Sequence, residues 1–244
     1  SANNSESVSL LKKRLSFIPN YFLRGVSEFS DNYIPIGTRG RNWLRSTDAD
    51  FHIGLPHVAT FFDPISRKRL LRNGLFSDLP EQYFKENVYE SGNLIDKATR
   101  MDLAHFLPED ILVKVDRTSM LNSLEVRAPF LDHHLVEFAF TKVPTALKAD
   151  HYRRKILLKN LTKKLLPEKF DRSRKQGFEV PLNTWLKDSE WRDIFADIIY
   201  QSNAFENKII DDLFVGIDKG RNNGERIFGL AFLELWRRKN NLSF

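Results

Sequence analysis

Two segments of the sequence hold side chains that could do chemistry. The first runs from Lys114 to Asp132, where charged and hydroxyl side chains occupy a predicted helix and Glu125 and Arg127 then alternate with apolar residues. A carboxylate in apolar surroundings is costly unless it is paired or unless a raised pKa is put to use. The alternative is an ion pair of Arg127 with Glu125 or Asp116 that fixes the junction between two helices. Composition alone favours that structural interpretation.

The second segment is a basic loop over residues 171–181, with Arg172, Arg174 and Lys175 close together and Phe178 as an apolar anchor. A lysine or arginine on such a loop can close over a phosphate or pyrophosphate and stabilise charge in a transition state. The commoner case is a solvated loop with three incidental cations. Both interpretations remain open from the residues alone.

Several common kinds of site are missing from the sequence. It has no cysteine, which excludes a disulfide scaffold, a thiolate nucleophile and any zinc site with a Cys ligand. It also has no Walker or dinucleotide glycine loop, no His-Glu-x-x-His helix and no calcium loop. The adjacent His133 and His134 cannot point the same way on a helix, so we expect no metal site there. His134 should face the core and His133 the solvent.

Hydrophobic spacing predicts the helices that position these segments. Four stripes recur at helical intervals: Leu131, His134, Leu135 and Phe138; Ile111, Leu112 and Val115; Ile156, Leu157, Leu161 and Leu165; and Phe228, Ala231, Phe232 and Leu235. Pro108, with acidic residues directly after it, predicts the start of the second helix, and Pro167 predicts the end of the third. Strict alternation and hairpin turns are missing, so the expected fold class is all-α.

Weaker helical patterns extend over much of the remaining chain, at 5–29, 48–62, 64–72, 92–106, 188–200 and 206–219. No stretch is biased enough for a flexible linker, so we expect one compact multi-helix unit, with residues 1–90 as peripheral helices and 91–244 as the motif-bearing core. No apolar run approaches the roughly 20 residues that span a bilayer, and no signal peptide is visible. We therefore expect a cytoplasmic protein with no membrane partner, which the lack of cysteine also fits.

The sequence carries a formal net charge of +6. This charge suits an anionic partner, so one alternative function is a basic helical module that binds nucleic acid or another polyanion. The cations are scattered and form no recognition-helix pattern, which does not favour nucleic acid. A third interpretation is an interaction module that has lost catalysis. The presence of both Glu125 and Lys175 argues against this interpretation.

The order of three motifs resembles the C-terminal part of the synthetase domain in the asparagine synthetase (glutamine-hydrolysing) family. The motifs are Lys-Val-Asp-Arg-Thr-Ser-Met at 114–120, Ser-Leu-Glu-Val-Arg-Ala-Pro-Phe-Leu-Asp at 123–132 and Arg-Lys-Gln-Gly-Phe-Glu-Val-Pro at 174–181. The resemblance is dense over residues 100–187 and looser on both sides. Its most specific piece is residues 125–132.

The resemblance implies adenylation of the aspartate side-chain carboxylate by ATP, followed by attack of glutamine-derived ammonia. It matches Glu125 to a glutamate near the adenylate that can accept a proton from the incoming amine. It matches Lys175 to a lysine on a mobile loop at the phosphates, with Arg174 beside it. Asp116 and Arg127 correspond to supporting positions behind the site. The acceptor could also be another small carboxylate.

Three family elements have no counterpart here: the Ser-Gly-Gly-x-Asp-Ser pyrophosphate loop, the Gly-x-Asp-Glu magnesium motif and the N-terminal cysteine. The resemblance therefore implies the helical part of a PP-loop synthetase domain whose α/β nucleotide-binding portion, like the glutaminase portion, is missing. ATP and Mg²⁺ would act in the full-length enzyme, and we expect neither bound to this chain, nor activity from it alone. We also expect an exposed apolar face and self-association into homo-oligomers.

Overall fold

The computed structural model describes residues 20–45, 60–72, 74–86, 92–150, 152–170, 180–187 and 189–243. Regular structure in these ranges is helical, and two isolated β-bridges are the nearest approach to a strand there. The all-α expectation is therefore confirmed. The predicted helices at 5–29 and 48–62 lie largely outside the described residues.

Thirteen α-helices occur in the described ranges. In chain order they are α1 Asn20–Tyr33, α2 Arg41–Arg45, α3 Pro64–Leu70, α4 Leu79–Glu86, α5 Leu94–Met101, α6 Val113–Met120, α7 His133–Thr141, α8 Thr145–Lys148, α9 Ile156–Leu165, α10 Leu182–Trp185, α11 Ser189–Tyr200, α12 Asn207–Asp218 and α13 Gly224–Lys239. A π-helix, Asp102–Leu112, connects α5 to α6, and a 3-10 helix, Pro129–Leu131, precedes α7.

The chain forms two compact units rather than one. The first unit comprises residues 1–86 and 178–244, and the second comprises residues 87–177. The peripheral role expected for residues 1–90 stays a prediction, while the end of α3 is bonded to the C-terminal region within the first unit. The Leu70 carbonyl oxygen accepts from the Glu206 amide at 2.7 Å, and the Arg72 amide donates to the Ala204 carbonyl oxygen at 2.9 Å.

The hydrophobic core of the first unit lies among α3 and the last three helices. It consists of Leu70, Leu186, Phe195, Ile199, Ala204, Phe205, Ile210, Leu213, Phe214, Ile217, Ile227, Leu230 and Ala231. The predicted fourth stripe forms part of α13, and Ala231 from it is fully buried. Burial of about a dozen apolar side chains makes this core the main stabilising element of the first unit.

A buried polar cluster accompanies this core. Asp63 caps the N-terminus of α3, where its carboxylate accepts from the Ser66 amide at 2.8 Å and from the Ser66 hydroxyl at 2.6 Å. It also accepts from Arg41 at 3.0 Å. Burial opposes its ionisation, but Arg45, Ser66 and Arg41 together lower the pKa of Asp63 to about 2. The charge is therefore matched inside the protein.

In the second unit, α5, the π-helix and α6 follow one another without a break. The Asn93 side chain caps α5 by accepting from the Ile95 amide at 3.0 Å and the Asp96 amide at 3.1 Å. Pro108 lies inside the π-helix, so the prediction that it begins a helix is wrong. The helix begins before Pro108. Proline lacks an amide hydrogen and its ring would crowd the preceding turn of an α-helix, and the wider π-helical turn occurs where Pro108 lies.

The second unit buries very little of itself. Among its described residues, only Lys97 and Ile156 are buried. The predicted stripes on α7 and α9 do form helix faces, and α9 ends before Pro167 as predicted, but these faces are largely exposed. His134 is exposed as well, so the prediction that it faces a core is wrong. The stripe to which it belongs is not covered within its own unit.

Candidate functional site

A left-handed residue ends the helix that leads into the candidate site. Ser123 has φ +55°, its amide donates to the Met120 carbonyl oxygen, and the Leu124 amide donates to the Ser119 carbonyl oxygen, both at 3.0 Å. This nested pair of bonds is a Schellman motif, in which glycine is the usual left-handed residue. Serine there costs about 1 kcal/mol, and such outliers cluster at functional sites.

The motif at residues 125–132 supplies the local signals for the next turn and helix. Pro129 begins the 3-10 helix, in which the Leu131 amide donates to the Ala128 carbonyl oxygen at 2.9 Å. Asp132 then caps α7 by accepting from the His134 amide at 3.0 Å and the Leu135 amide at 3.3 Å. The α-helix thus begins at His133 rather than at the proline, since Asp132 provides its cap.

Glu125 and Arg127 form an ion pair at the surface of the second unit. Arg127 contacts the Glu125 carboxylate through Nη2, while their side chains are 87% and 69% exposed, respectively. The expected pairing of these two residues is confirmed. Asp116 on α6 is exposed and makes no ion pair with Arg127, so that alternative is wrong. An exposed pair contributes little to stability, and the 69% exposed Glu125 carboxylate can be reached by a ligand.

Residues of the same motif line an open apolar cavity of about 450 Å³. Its lining includes Phe130 and Leu131 from the motif, Leu135 from α7 and Leu157 and Leu158 from α9. The cavity is large enough for a side chain or ligand of ordinary size. One short segment of chain therefore carries an exposed carboxylate and contributes two side chains to the wall of an apolar cavity.

Lys148 is one of the few polar residues that line this cavity. Its ammonium group donates to the Asp96 carboxylate at 2.9 Å, and it also lies 5.1 Å from the centre of the Phe140 ring. The bond from Lys148 is the main reason that the pKa of Asp96 is lowered, although partial burial opposes it. Sequence reasoning missed this pair because its members are 52 residues apart.

The other predicted site residues cannot be added to this geometry. Lys175 and Arg174 lie outside the described residues, as does most of their basic loop. Within the described ranges, no group of three or more His, Asp or Glu side chains is placed to hold a metal ion. His133 and His134 are in ring contact at 3.8 Å between centroids but have no third partner of that kind.

Comparison with known proteins identifies the family. The family model described as "Asparagine synthase" matches residues 41–238. The chain belongs to the asparagine synthase family. The resemblance of its motifs to that family is thereby confirmed, and the match includes the segments that carry Asp116, Glu125 and Lys175.

Curated relatives in the asparagine synthase family are longer than this chain. Asparagine synthetase [glutamine-hydrolyzing] 1 of Bacillus subtilis (strain 168) is 30% identical over 217 residues, which cover 85% of this chain and 33% of the relative. The putative asparagine synthetase [glutamine-hydrolyzing] of Mycobacterium tuberculosis (strain ATCC 25618 / H37Rv) is 26% identical over 227 residues, covering 90% and 34%. The chain therefore spans about a third of the length of these relatives. No solved structure gives a significant match.

Proposed function

We propose that this chain is the C-terminal helical part of an ATP-dependent amide ligase that adenylates a carboxylate and transfers glutamine-derived ammonia to it. Aspartate is the expected acceptor, since the curated relatives above are asparagine synthetases by name. The observation that carries the proposal is the family match over residues 41–238. A cytoplasmic location belongs to the same proposal.

Glu125 is the proposed proton acceptor for the attacking amine. Its carboxylate is 69% exposed and is oriented by Arg127, so it can meet a ligand without first leaving a buried site. A positioned general base typically accelerates such a step by about 10²–10⁴-fold. Asp116 and Arg127 are proposed to support this segment, while Lys175, with Arg174 beside it, is proposed to stabilise negative charge at the phosphates.

ATP and Mg²⁺ enter this proposal through the family rather than through residues of the described ranges. Since no metal-capable cluster occurs there, we assign no Mg²⁺ ligand to them. The chain alone is proposed to be inactive and to need both a nucleotide-binding portion and a glutaminase portion. The length of the curated relatives, about three times the matched region, leaves room for both.

The exposed apolar surface of the second unit supports the need for those portions. Phe130 is 67% exposed, Phe138 51% and Leu165 69%, and all lie in the unit that carries the motif. Large exposed apolar side chains of this kind, where they cluster, mark an interaction site in soluble proteins, and Phe130 and Phe138 line the same cavity. We propose that the remaining portion of the ligase covers it.

The test is ATP–pyrophosphate exchange with aspartate, in a protein that also carries the upstream portions. Lys175→Ala should abolish exchange, whereas Lys169→Ala, the matched substitution of an exposed lysine, should not. Glu125→Gln should leave exchange intact and slow amide formation by about 100-fold or more, because it removes only the proton acceptor. The exposed Glu137→Gln is its control.

Each result has a distinct meaning. Exchange that survives Lys175→Ala would remove that lysine from the site. Binding of Mg-ATP without aspartate-dependent exchange would point to another carboxylate acceptor. Failure of the extended protein to bind ATP would overturn the ligase proposal. Among the residues that the structure describes, no specific observation favours the polyanion alternative, and the buried or partly buried Arg41, Arg45 and Arg237 are already paired with carboxylates.

A further inference from the structure

A cavity in the first unit is lined by charged groups of both signs. It has a volume of about 250 Å³ and lies between the turn that follows α1 and the helices α3 and α12. Its charged lining residues are Arg41, Arg69, Arg221, Asp31 and Asp212. None of them belongs to the motif segments on which the proposed function rests.

Two of these groups are matched by partners and form a fixed wall. Arg41 is 3% exposed, and it donates to Asp63 at 3.0 Å and to the Ile34 carbonyl oxygen at 2.9 Å. Asp31 accepts from Arg45 through a short ion pair. Because these groups are paired with opposite charges, they add little net charge to the cavity.

Three charges remain without an opposite partner in the part of the chain that the structure describes. Arg69 donates only to neutral oxygens, the Asn32 side-chain oxygen at 3.0 Å and the Asp31 carbonyl oxygen at 3.4 Å. Arg221 and Asp212 have no side-chain hydrogen bond or ion pair to any described residue, and they form none with each other; Arg221 is half-buried, whereas Asp212 and Arg69 are exposed and open to a ligand from solvent. The cavity therefore presents two unmatched cations and one unmatched anion.

We infer that this cavity binds a small free α-amino acid. Its carboxylate would lie at the guanidinium groups of Arg69 and Arg221, and its ammonium group at the Asp212 carboxylate. Guanidinium groups match a carboxylate in both charge and planar geometry. A zwitterion satisfies all three charges at once. A simple anion would be repelled by Asp212, and a simple amine would be repelled by the two arginines.

The size and the apolar part of the cavity fit the same ligand. A volume of about 250 Å³ is below the roughly 300–1,000 Å³ of pockets for larger ligands. Ile36, Ile209 and Leu213 form its apolar lining, against which the side chain of the amino acid would pack. All of these residues lie in the first unit, so the inference does not depend on the adenylation chemistry proposed above.

The experiment is calorimetric titration of the 244-residue chain with each of the twenty protein amino acids. Propionate, ethylamine and inorganic phosphate serve as probes that carry only part of the zwitterion or another anion. At least one amino acid should bind saturably at millimolar or lower concentration, with propionate and ethylamine at least about tenfold weaker. No saturable amino-acid binding up to about 10 mM, or tighter binding of phosphate, would overturn the inference.

Matched variants locate the ligand. Arg221→Gln should weaken amino-acid binding at least about tenfold, and Asp212→Asn should weaken it similarly while leaving propionate binding unchanged or stronger. Arg24→Gln and Asp193→Asn, both exposed and outside the cavity, should have no effect. Binding that is unaffected by both cavity variants would overturn the inference, and thermal unfolding of each variant checks that it is folded.

Discussion

The backbone of Gly37 lies directly against the buried side-chain amide of Asn223. A Cβ atom added at Gly37 would lie 2.0 Å from Asn223 Oδ1, and Gly37 has φ +82°. The Asn222 amide donates to the Gly37 carbonyl oxygen at 3.0 Å, so the turn after α1 and the turn before α13 are joined at this point. Asn223 itself donates to the Leu213 carbonyl oxygen at 3.0 Å.

Gly37→Ala should therefore be strongly destabilising. We expect a loss of about 2–4 kcal/mol in the free energy of unfolding, because the methyl group overlaps a fully buried amide in addition to straining the backbone. Gly40→Ala is the matched control, with φ +88° and no atom within 4 Å of the added carbon. It should cost only about 1 kcal/mol. Equal losses for the two variants in denaturant unfolding would contradict the contact.

Acid should destabilise the first unit through Asp63. The pKa of this carboxyl is lowered from 3.8 to about 2 in the folded protein, so it contributes stability above about pH 4 that is lost as pH falls towards 2. The contribution is about 2 kcal/mol. Asp63→Asn should lower stability near neutrality and flatten the dependence of unfolding free energy on pH in that window. Asp193→Asn, the same substitution at an exposed position of the first unit, is the control.

Glu234→Gln should weaken the attachment of α13 to α11. The fully buried Glu234 carboxylate accepts from Arg237 and Arg238 at 2.7 Å, and Arg238 also donates to the Ile198 carbonyl oxygen at 2.9 Å. We expect a loss of about 2–3 kcal/mol, since the charge that orients both arginines is removed. Glu28→Gln, which breaks the exposed Arg24 pair, should cost less than about 0.5 kcal/mol. Thermal or denaturant unfolding compares the two, and a similar small loss in both would show that the buried pair is unimportant.

The chain should self-associate through the apolar face of α7. Leu135 is 40% exposed and Phe138 51%, although both were predicted to face a core. Sedimentation velocity should show concentration-dependent association that Leu135→Glu reduces, because a charge cannot be buried at the contact without a partner. Glu137→Ala, an exposed position of α7 outside this stripe, should leave it unchanged. A strict monomer at high concentration would rule out this prediction.

Much of the helical structure could be predicted, because it depends on spacing that is visible along the chain. The stripe at Ile156–Leu165 and its end before Pro167 are local patterns, and the structure has them at those positions. The Asp132 cap is also a local signal, an aspartate directly before an apolar helix, which sequence reasoning could have found. Local spacing does not show what each stripe packs against. The exposure of His134 could not be predicted for that reason.

The buried charges could not be predicted from the sequence. Arg41 and Asp63 are 22 residues apart, and no local pattern marks them as partners. Both side chains are buried in the folded protein, which makes their pairing necessary. The same holds for the charged cavity, whose lining comes from parts of the chain more than 100 residues apart.

The π-helix at Asp102–Leu112 sets an angular offset between the two α-helices that flank it. In an α-helix each residue turns the chain by about 100° and advances it by about 1.5 Å. Removing Pro108 would let this stretch rewind as an α-helix, because no proline would then crowd the α-helical turn, and α6 would rotate by about that angle relative to α5. The side chain of Asp116 would then point in a different direction, and residues 123–132, which follow α6, would change orientation with it. The number of residues in the π-helix therefore determines the direction in which α6 presents the segment that follows it.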